Sequence, residues 1–263
     1  MTEPQSASIL MKRYGAVAVI TLNRPEVLNA IDAKLANDLA SSLASCAADD
    51  DVRVIVLAGE GRAFCVGHNL AALAVGESVS ESHHPNFGYA GIARHKIDKP
   101  IIVAAQGFML GGGLEIALSA DLIIAAEDLM LGLPEVKMGQ FAAAGGVVRI
   151  SQQLPSRVAN WLILSGQMMT AEEALRWGLV NEVVPTNRLF ERAMEMAETI
   201  ASNAPLAVQS SKSLIRDLVS QSSWDDSTWN RLTRELEKIS KTADAAEGAR
   251  AFVEKRPPVW SGR

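Results

Sequence analysis

Two glutamates and two glycine-bearing turns carry the chemistry that this chain can do. Gly111-Gly112-Gly113-Leu114-Glu115 follows the apolar run Ile101 to Ala105 and the segment Gly107-Phe108-Met109-Leu110, and Leu133-Pro134-Glu135 comes twenty residues after the first glutamate. A strand that ends in adjacent glycines and then starts a helix leaves backbone N–H groups pointing at whatever sits before the turn. With two carboxylates nearby, the negative charge such donors would hold is an oxyanion formed during a reaction. Glu115 falls in the first turn after Gly112, where the helix dipole favours its ionised form and suits it to be a base that activates water. Glu135 follows Pro134 and the apolar stretch Leu129 to Leu133, and an apolar wall would raise its pKa and let it carry a proton. Taken singly, each glutamate reads as well as a solvated carboxylate; beside one anion site, the two functional readings support each other.

A second strand-to-helix junction lies in Arg62-Ala63-Phe64-Cys65-Val66-Gly67-His68-Asn69-Leu70, after the Gly59-Glu60-Gly61 turn, with a helix expected to begin at Asn69 or soon after. Two such junctions face to face would offer two N–H groups to one oxygen. Alone, either glycine turn is explained by backbone geometry. The elements that must position these junctions alternate along the chain. Val17 to Leu22, Val52 to Ala58, Ile101 to Ala105 and Leu122 to Ala125 read as strands. Leu35, Leu39 and Leu43 mark a helix after an Asp32 cap, and Thr170-Ala171-Glu172-Glu173 is a capping-box signature for a helix that stops at Gly178. This is an α/β pattern with helix-covered sheets. After Pro205 no strand is expected; Trp229, Leu232, Leu236 and Ile239 mark one face of a long helix, and Pro257-Pro258 ends helical structure. The division is therefore an α/β core over 1–204 and a helical module over 205–263, too small to hold a core alone.

Composition narrows the function. The net charge of −5 gives no footprint for nucleic acid or an anionic membrane. The basic residues between Arg231 and Lys241 are balanced by Glu235 and Glu237. Cys46 and Cys65 make no disulfide framework or zinc pattern, and His68, His83, His84 and His95 are irregularly spaced, so no metal is expected. Met1 to Ser8 lacks the basic and apolar segments of a secretory signal and no run reaches membrane-spanning length, so a reduced cytoplasmic setting is expected.

These motifs together resemble the crotonase (enoyl-CoA hydratase/isomerase) superfamily. The resemblance runs from Thr21-Leu22-Asn23-Arg24-Pro25 and Leu28-Asn29-Ala30, through both junctions, Leu133-Pro134-Glu135, Gly139 and Gly145-Gly146, to Ala174-Leu175-Arg176-Trp177-Gly178-Leu179-Val180 and Phe252-Val253-Glu254-Lys255-Arg256. It implies a crotonase-like ββα spiral core with a helical oligomerisation module, assembled as a homotrimer or homohexamer. It also implies an acyl-CoA substrate, with CoA part of the substrate and no separate cofactor. The thioester oxygen would be held by the backbone N–H groups of His68 and Gly112. Glu115 would activate water for addition at C3 of a 2-enoyl-CoA, and Glu135 would deliver the proton to C2. Relatives that shift a double bond, release CO2 or displace halide generally change one or both glutamates, so the resemblance favours an enoyl-CoA hydratase. The alternative is a dehydratase or isomerase of the same superfamily acting on a polar or branched acyl-CoA.

For the CoA and acyl parts, the resemblance points to Glu26, Val27, Leu28, Val66, Asn69, Leu70, Leu73 and the tail lysine Lys255. A polar loop from Val75 to Phe87, followed by a helix reaching Ile97, is expected to help close the acyl pocket, with Phe87, Ile92, Met109 and Leu110 as further candidate neighbours. Two departures stand out: Asn69 occupies a position where aspartate is common, and Phe141-Ala142-Ala143-Ala144 replaces a proline-glycine-alanine lead into Gly145-Gly146.

Overall fold

Continuous apolar runs such as Val17 to Ile20 and Ile101 to Ala105 require burial on both faces of a sheet. The computed structural model, which describes residues 7–74, 76, 79, 85–218 and 225–263, provides it. The chain begins with β1 (Ile9–Tyr14) and β2 (Val17–Leu22), then α1 (Ala33–Ala48), β3 (Val54–Gly59) and the short α2 (Leu70–Ala74). β4 (Ile101–Ala105), β5 (Phe108–Leu110), α3 (Gly112–Ala117), β6 (Leu122–Ala126) and β7 (Met130–Gly132) follow. Next come α4 (Gly146–Gln153), α5 (Ser156–Ser165), β8 (Met168–Thr170), α6 (Ala171–Arg176), β9 (Glu182–Val184) and α7 (Leu189–Ala201). The helices α8 (Pro205–Leu218), α9 (Asp226–Ser240) and α10 (Ala243–Glu254) close the chain.

Strand order in the large sheet is β1-β2-β3-β4-β6-β9, antiparallel only at β1 and β2, and a second sheet has the order β5-β7-β8. Alternate residues of the large sheet divide into two cores. Ile20, Ile55, Val103 and Ala125 face α1 and the β5–α3 unit, while Val19, Val56, Ile102 and Ile124 face Leu189, Ala193 and Ala197 of α7. The second sheet and α3 therefore sit on one side of the large sheet, which is the side that carries the glycine junctions. Asp32 caps α1 by accepting from Leu35 N at 2.9 Å, and Thr170 and Glu173 form the expected capping box on α6.

The expected strand from Val52 begins two residues later at Val54, and the edge strand β1 and the three-residue strands β5, β7, β8 and β9 were not foreseen. The expected helix before Ile97 is absent: 3-10 turns at Pro85–Phe87 and Tyr89–Gly91 replace it. Gly88, Ala90 and Gly91 adopt φ of +72°, +52° and +71°, and a helix cannot continue through left-handed residues. Most of the segment 75–84, with His83 and His84, lies outside the described residues.

The C-terminal helices dock through polar anchors. Lys212 of α8 reaches Asp121 at 2.7 Å and donates to the Lys99 carbonyl at 2.8 Å. Arg53 donates to the carbonyls of Ala201 and Trp260, and the Trp260 indole donates to Ser202 O. The expected apolar face of α9 is covered only in part: Leu232 and Ile239 are half-buried, while Trp229 and Leu236 are exposed. Among the described residues no helix is long and apolar enough to cross a membrane.

Candidate active site

The two glycine junctions lie side by side. Cys65 and Met109 form a parallel bridge, with Cys65 N donating to Phe108 O and Leu110 N to Cys65 O, so the chain from Cys65 to His68 runs beside Met109 to Gly112. Space between them is tight. A Cβ at Gly67, whose φ is +88°, would stand 2.8 Å from Gly112 N and 3.0 Å from Leu110 O. Gly112 is the first residue of α3, so its N–H has no acceptor within the helix. Residue 68 makes a second parallel bridge to Ile31, in which Gly67 O accepts from Ile31 N and Asn69 N donates to Ile31 O. That pairing turns the His68 N–H to the side away from Ile31, where the β5–α3 junction lies.

Glu115 is buried, at 4% exposure, so the solvated reading does not hold. Burial raises its pKa, against the expectation that the dipole of its own helix keeps it ionised. The opposing donors come from elsewhere: Gly146 N at the start of α4 donates to Glu115 Oε1 at 2.8 Å, the Ala144 backbone adds a bond, and Arg149 supplies positive charge. Gly146 has to be glycine, because a Cβ there would lie 2.9 Å from Glu115 Oε1 and 2.7 Å from the Ala142 methyl. The alanine-rich lead is thus part of the wall behind Glu115, with Ala142 buried.

Glu135 lies in the 3-10 turn Pro134–Met138, and its Oε1 stands 3.3 Å from the position a Cβ would take on Gly111. Its Oε2 is buried without a hydrogen-bond partner. Burial, with the charge of Glu115 adding to it, pushes the Glu135 pKa up to about 7. Stability is then full below the ordinary carboxylate range near 4.5 and declines as pH rises through about 7, because the fold favours the neutral acid. Glu135→Gln, which is neutral at every pH, is expected to gain on the order of 1–2 kcal/mol over the wild type at pH 8, after allowing for solvent screening, and nothing at pH 4. Thermal melts at both pH values check this; parallel pH dependence in the two proteins would contradict it.

Other expected site residues are placed as follows. Asn69 Oδ1 accepts from Ala71 N at 3.0 Å and Ala72 N at 3.3 Å, so its side chain caps α2, a task an aspartate carboxylate performs equally. Leu70 is exposed at the start of that helix; Leu73 is on it, with its side chain outside the described residues. Glu26 and Val27 lie in the 3-10 turn Pro25–Val27, and Leu28 O accepts from Val66 N at 3.2 Å, which ties these two candidate CoA segments together. Lys255 ends α10 with φ +52° and an exposed side chain. Ile92 and Met109 are core residues, and Phe87 stacks on His95 at 3.5 Å. Among the described residues no group of three metal-binding side chains occurs.

Three further residues shape the site. Asn29, fully buried, donates through Nδ2 to the carbonyls of Glu60, Ala63 and Phe64 and accepts from Arg24 N, fixing the Arg62–Leu70 junction to the turn before α1. Its place in Leu28-Asn29-Ala30 was the available signal. Arg149 donates to Ala93 O at 2.6 Å and Ala144 O at 3.2 Å beside Glu115. The Tyr89 ring covers Gly112, where a Cβ would overlap the hydroxyl and lie 2.5 Å from Cζ.

Comparison with known proteins supplies the family. Residues 12–263 match the enoyl-CoA hydratase/isomerase family. A carnitinyl-CoA dehydratase of Salmonella typhi is 38% identical over 262 residues, covering 98% of this chain and 100% of that protein. The crystal structure of an enoyl-CoA hydratase from Mycobacterium tuberculosis H37Rv superposes with a TM-score of 0.93 at 36% identity, and that of a carnitinyl-CoA hydratase from Mycobacterium avium with 0.78 at 44%. Both cover 98% of this chain and 100% of theirs. With its two parallel junctions, helical C-terminal region and paired glutamates, the chain belongs to the crotonase (enoyl-CoA hydratase/isomerase) family, as an enzyme of the hydratase/dehydratase type that acts on CoA esters.

Proposed function

We propose that this enzyme adds water across the C2=C3 bond of a 2-enoyl-CoA to give a 3-hydroxyacyl-CoA, and runs the same step in reverse. The observation that carries the reading is the pair of carboxylates, Glu115 buried and Gly146-bonded and Glu135 half-buried with a buried, unpartnered oxygen, set against the start of α3. The thioester oxygen sits between the N–H groups of His68 and Gly112. Glu115 takes a proton from water as the water oxygen bonds to C3, and the C2=C3 electrons move onto the thioester oxygen as an enolate. The enolate re-forms the carbonyl while C2 takes a proton from Glu135. One water is consumed, Glu115 ends protonated and Glu135 ionised, and proton exchange with solvent restores both. An acid held near neutrality suits the second role.

CoA is the carrier part of the substrate, and the chemistry asks for no cofactor. Glu26, Val27, Leu28 and Val66 would hold it through backbone groups, with Lys255 toward its phosphates. A second reading is supported by the carnitinyl-CoA dehydratase relative: a polar 3-hydroxyacyl-CoA as the preferred substrate. Specificity constants for crotonyl-CoA against a 2-enoyl-CoA bearing a cationic terminus separate the two readings. A tenfold preference for the cationic substrate would replace the first with the second.

The assembly we infer is a homotrimer or a homohexamer. Phe141, Val148, Trp161 and Leu164, and Trp229, Leu236, Phe252 and Val253 of the C-terminal helices, are exposed apolar side chains that a monomer would leave in water. Sedimentation is expected to give three or six times the 28.1 kDa chain mass, and a monomeric mass would contradict the assembly.

A further inference from the structure

The hydroxyl of Tyr89 is buried and has no hydrogen-bond partner. A phenylalanine would fill the same space over Gly112 without burying an unpaired polar atom, so the oxygen has a cost that packing does not explain. Its surroundings are those of the reacting centre. The ring lies edge-on to His68 with centroids 6.3 Å apart and a 70° interplanar angle, and it covers Gly112 on its other side. Burial above all keeps the hydroxyl protonated and therefore a donor, and the fields of Glu115 and Glu135 act in the same direction. Neither carboxylate takes its proton. One residue away along the same backbone, Glu135 lies against Gly111, and its Oε2 is likewise unpartnered. Two unmatched polar groups, one a donor and the other a carboxyl oxygen, thus lie over consecutive glycines at the start of α3.

We propose that Tyr89 is a substrate-contacting residue whose hydroxyl donates a hydrogen bond to the oxygen that joins or leaves C3. The inference rests on the hydratase reading. The thioester oxygen already has two backbone donors in that reading, whereas the C3 oxygen lies on the carboxylate side, where the hydroxyl feels both glutamates. Tyr89 makes or breaks no covalent bond: it orients the water or the leaving hydroxyl and favours acyl groups that carry oxygen at C3.

The test compares full-length wild type with Tyr89→Phe, which removes one oxygen and keeps the ring. The kinetics are read in both directions, with crotonyl-CoA and 3-hydroxybutyryl-CoA, and binding is read with butyryl-CoA, which lacks the C3 oxygen. Expected is a loss of about tenfold or more in kcat/KM both ways, with butyryl-CoA affinity within about twofold and the melting temperature unchanged or higher. Unchanged kinetics would overturn the proposal and leave Tyr89 as packing over Gly112. An equal weakening of butyryl-CoA binding would also overturn it, by moving the bond to the thioester oxygen. If the wild type turns over neither substrate, the hydratase reading fails on its own. The relative affinity for 3-hydroxybutyryl-CoA over butyryl-CoA then tests Tyr89: loss of that preference in the Phe variant supports the contact, and an unchanged ratio rejects it.

Discussion

Glu115→Gln and Glu135→Gln are each expected to lower kcat/KM for crotonyl-CoA hydration by at least about 10²-fold, within the range that positioned acids and bases supply. Glutamine keeps the size and the accepting oxygen, so the Gly146 bond to residue 115 can persist while the proton-transfer capacity is lost. The two variants differ in pH dependence. Hydration needs Glu135 protonated and Glu115 ionised, so the wild-type rate falls as pH rises through about 7, where Glu135 loses its proton. Because burial also raises Glu115, the acid limb lies above the ordinary carboxylate range. The dehydration direction shares this profile, because the two directions use the same singly protonated pair of glutamates and the overall reaction takes up no proton. The residual activity of Glu135→Gln should lack the limb near 7. Stopped or initial-rate assays from pH 5 to 9 check this, and a wild-type alkaline limb retained in Glu135→Gln would assign it to another group.

Gly67→Ala has the second large effect. Its added methyl would meet Gly112 N at 2.8 Å and Leu110 O at 3.0 Å, both backbone atoms, and residue 67 would hold φ of +88° with a side chain. The junctions must move apart, which shifts the Gly112 N–H relative to that of residue 68. Loss of one well-placed oxyanion donor costs about 10²–10³ in kcat, so a fall of that order is expected with circular dichroism still native. Kinetics within a few-fold of wild type in a folded Gly67→Ala protein would show that the spacing of the two junctions does not matter to the reaction.

The site was legible where its chemistry demands particular residue types at short range. Glycines at 67 and 111–113, followed by Glu115, announce a strand-to-helix junction because no other residue allows such close backbone approach, and Asp32 and Thr170 announce helix starts through their capping groups. The order of motifs also identified the family. What stayed hidden depends on distant parts of the chain. β5, β7 and β8 have three residues each, too few for a period-2 signal, and they are defined by pairing with one another. The protonation of Glu115 could not be read from its place in α3, since the decisive factors are burial and the N-terminus of α4, thirty-one residues on. Tyr89 sits in a stretch that reads as a helix, and only its left-handed neighbours break that helix and turn the ring over Gly112.

The central claim is tested most directly by mixing purified protein with crotonyl-CoA and following the ultraviolet absorbance of the conjugated thioester, with the product mass recorded. The account predicts rapid loss of absorbance and gain of one water as 3-hydroxybutyryl-CoA, both abolished in Glu115→Gln. Unchanged absorbance with folded wild-type protein, or equal loss in the wild type and in Glu115→Gln, would contradict it.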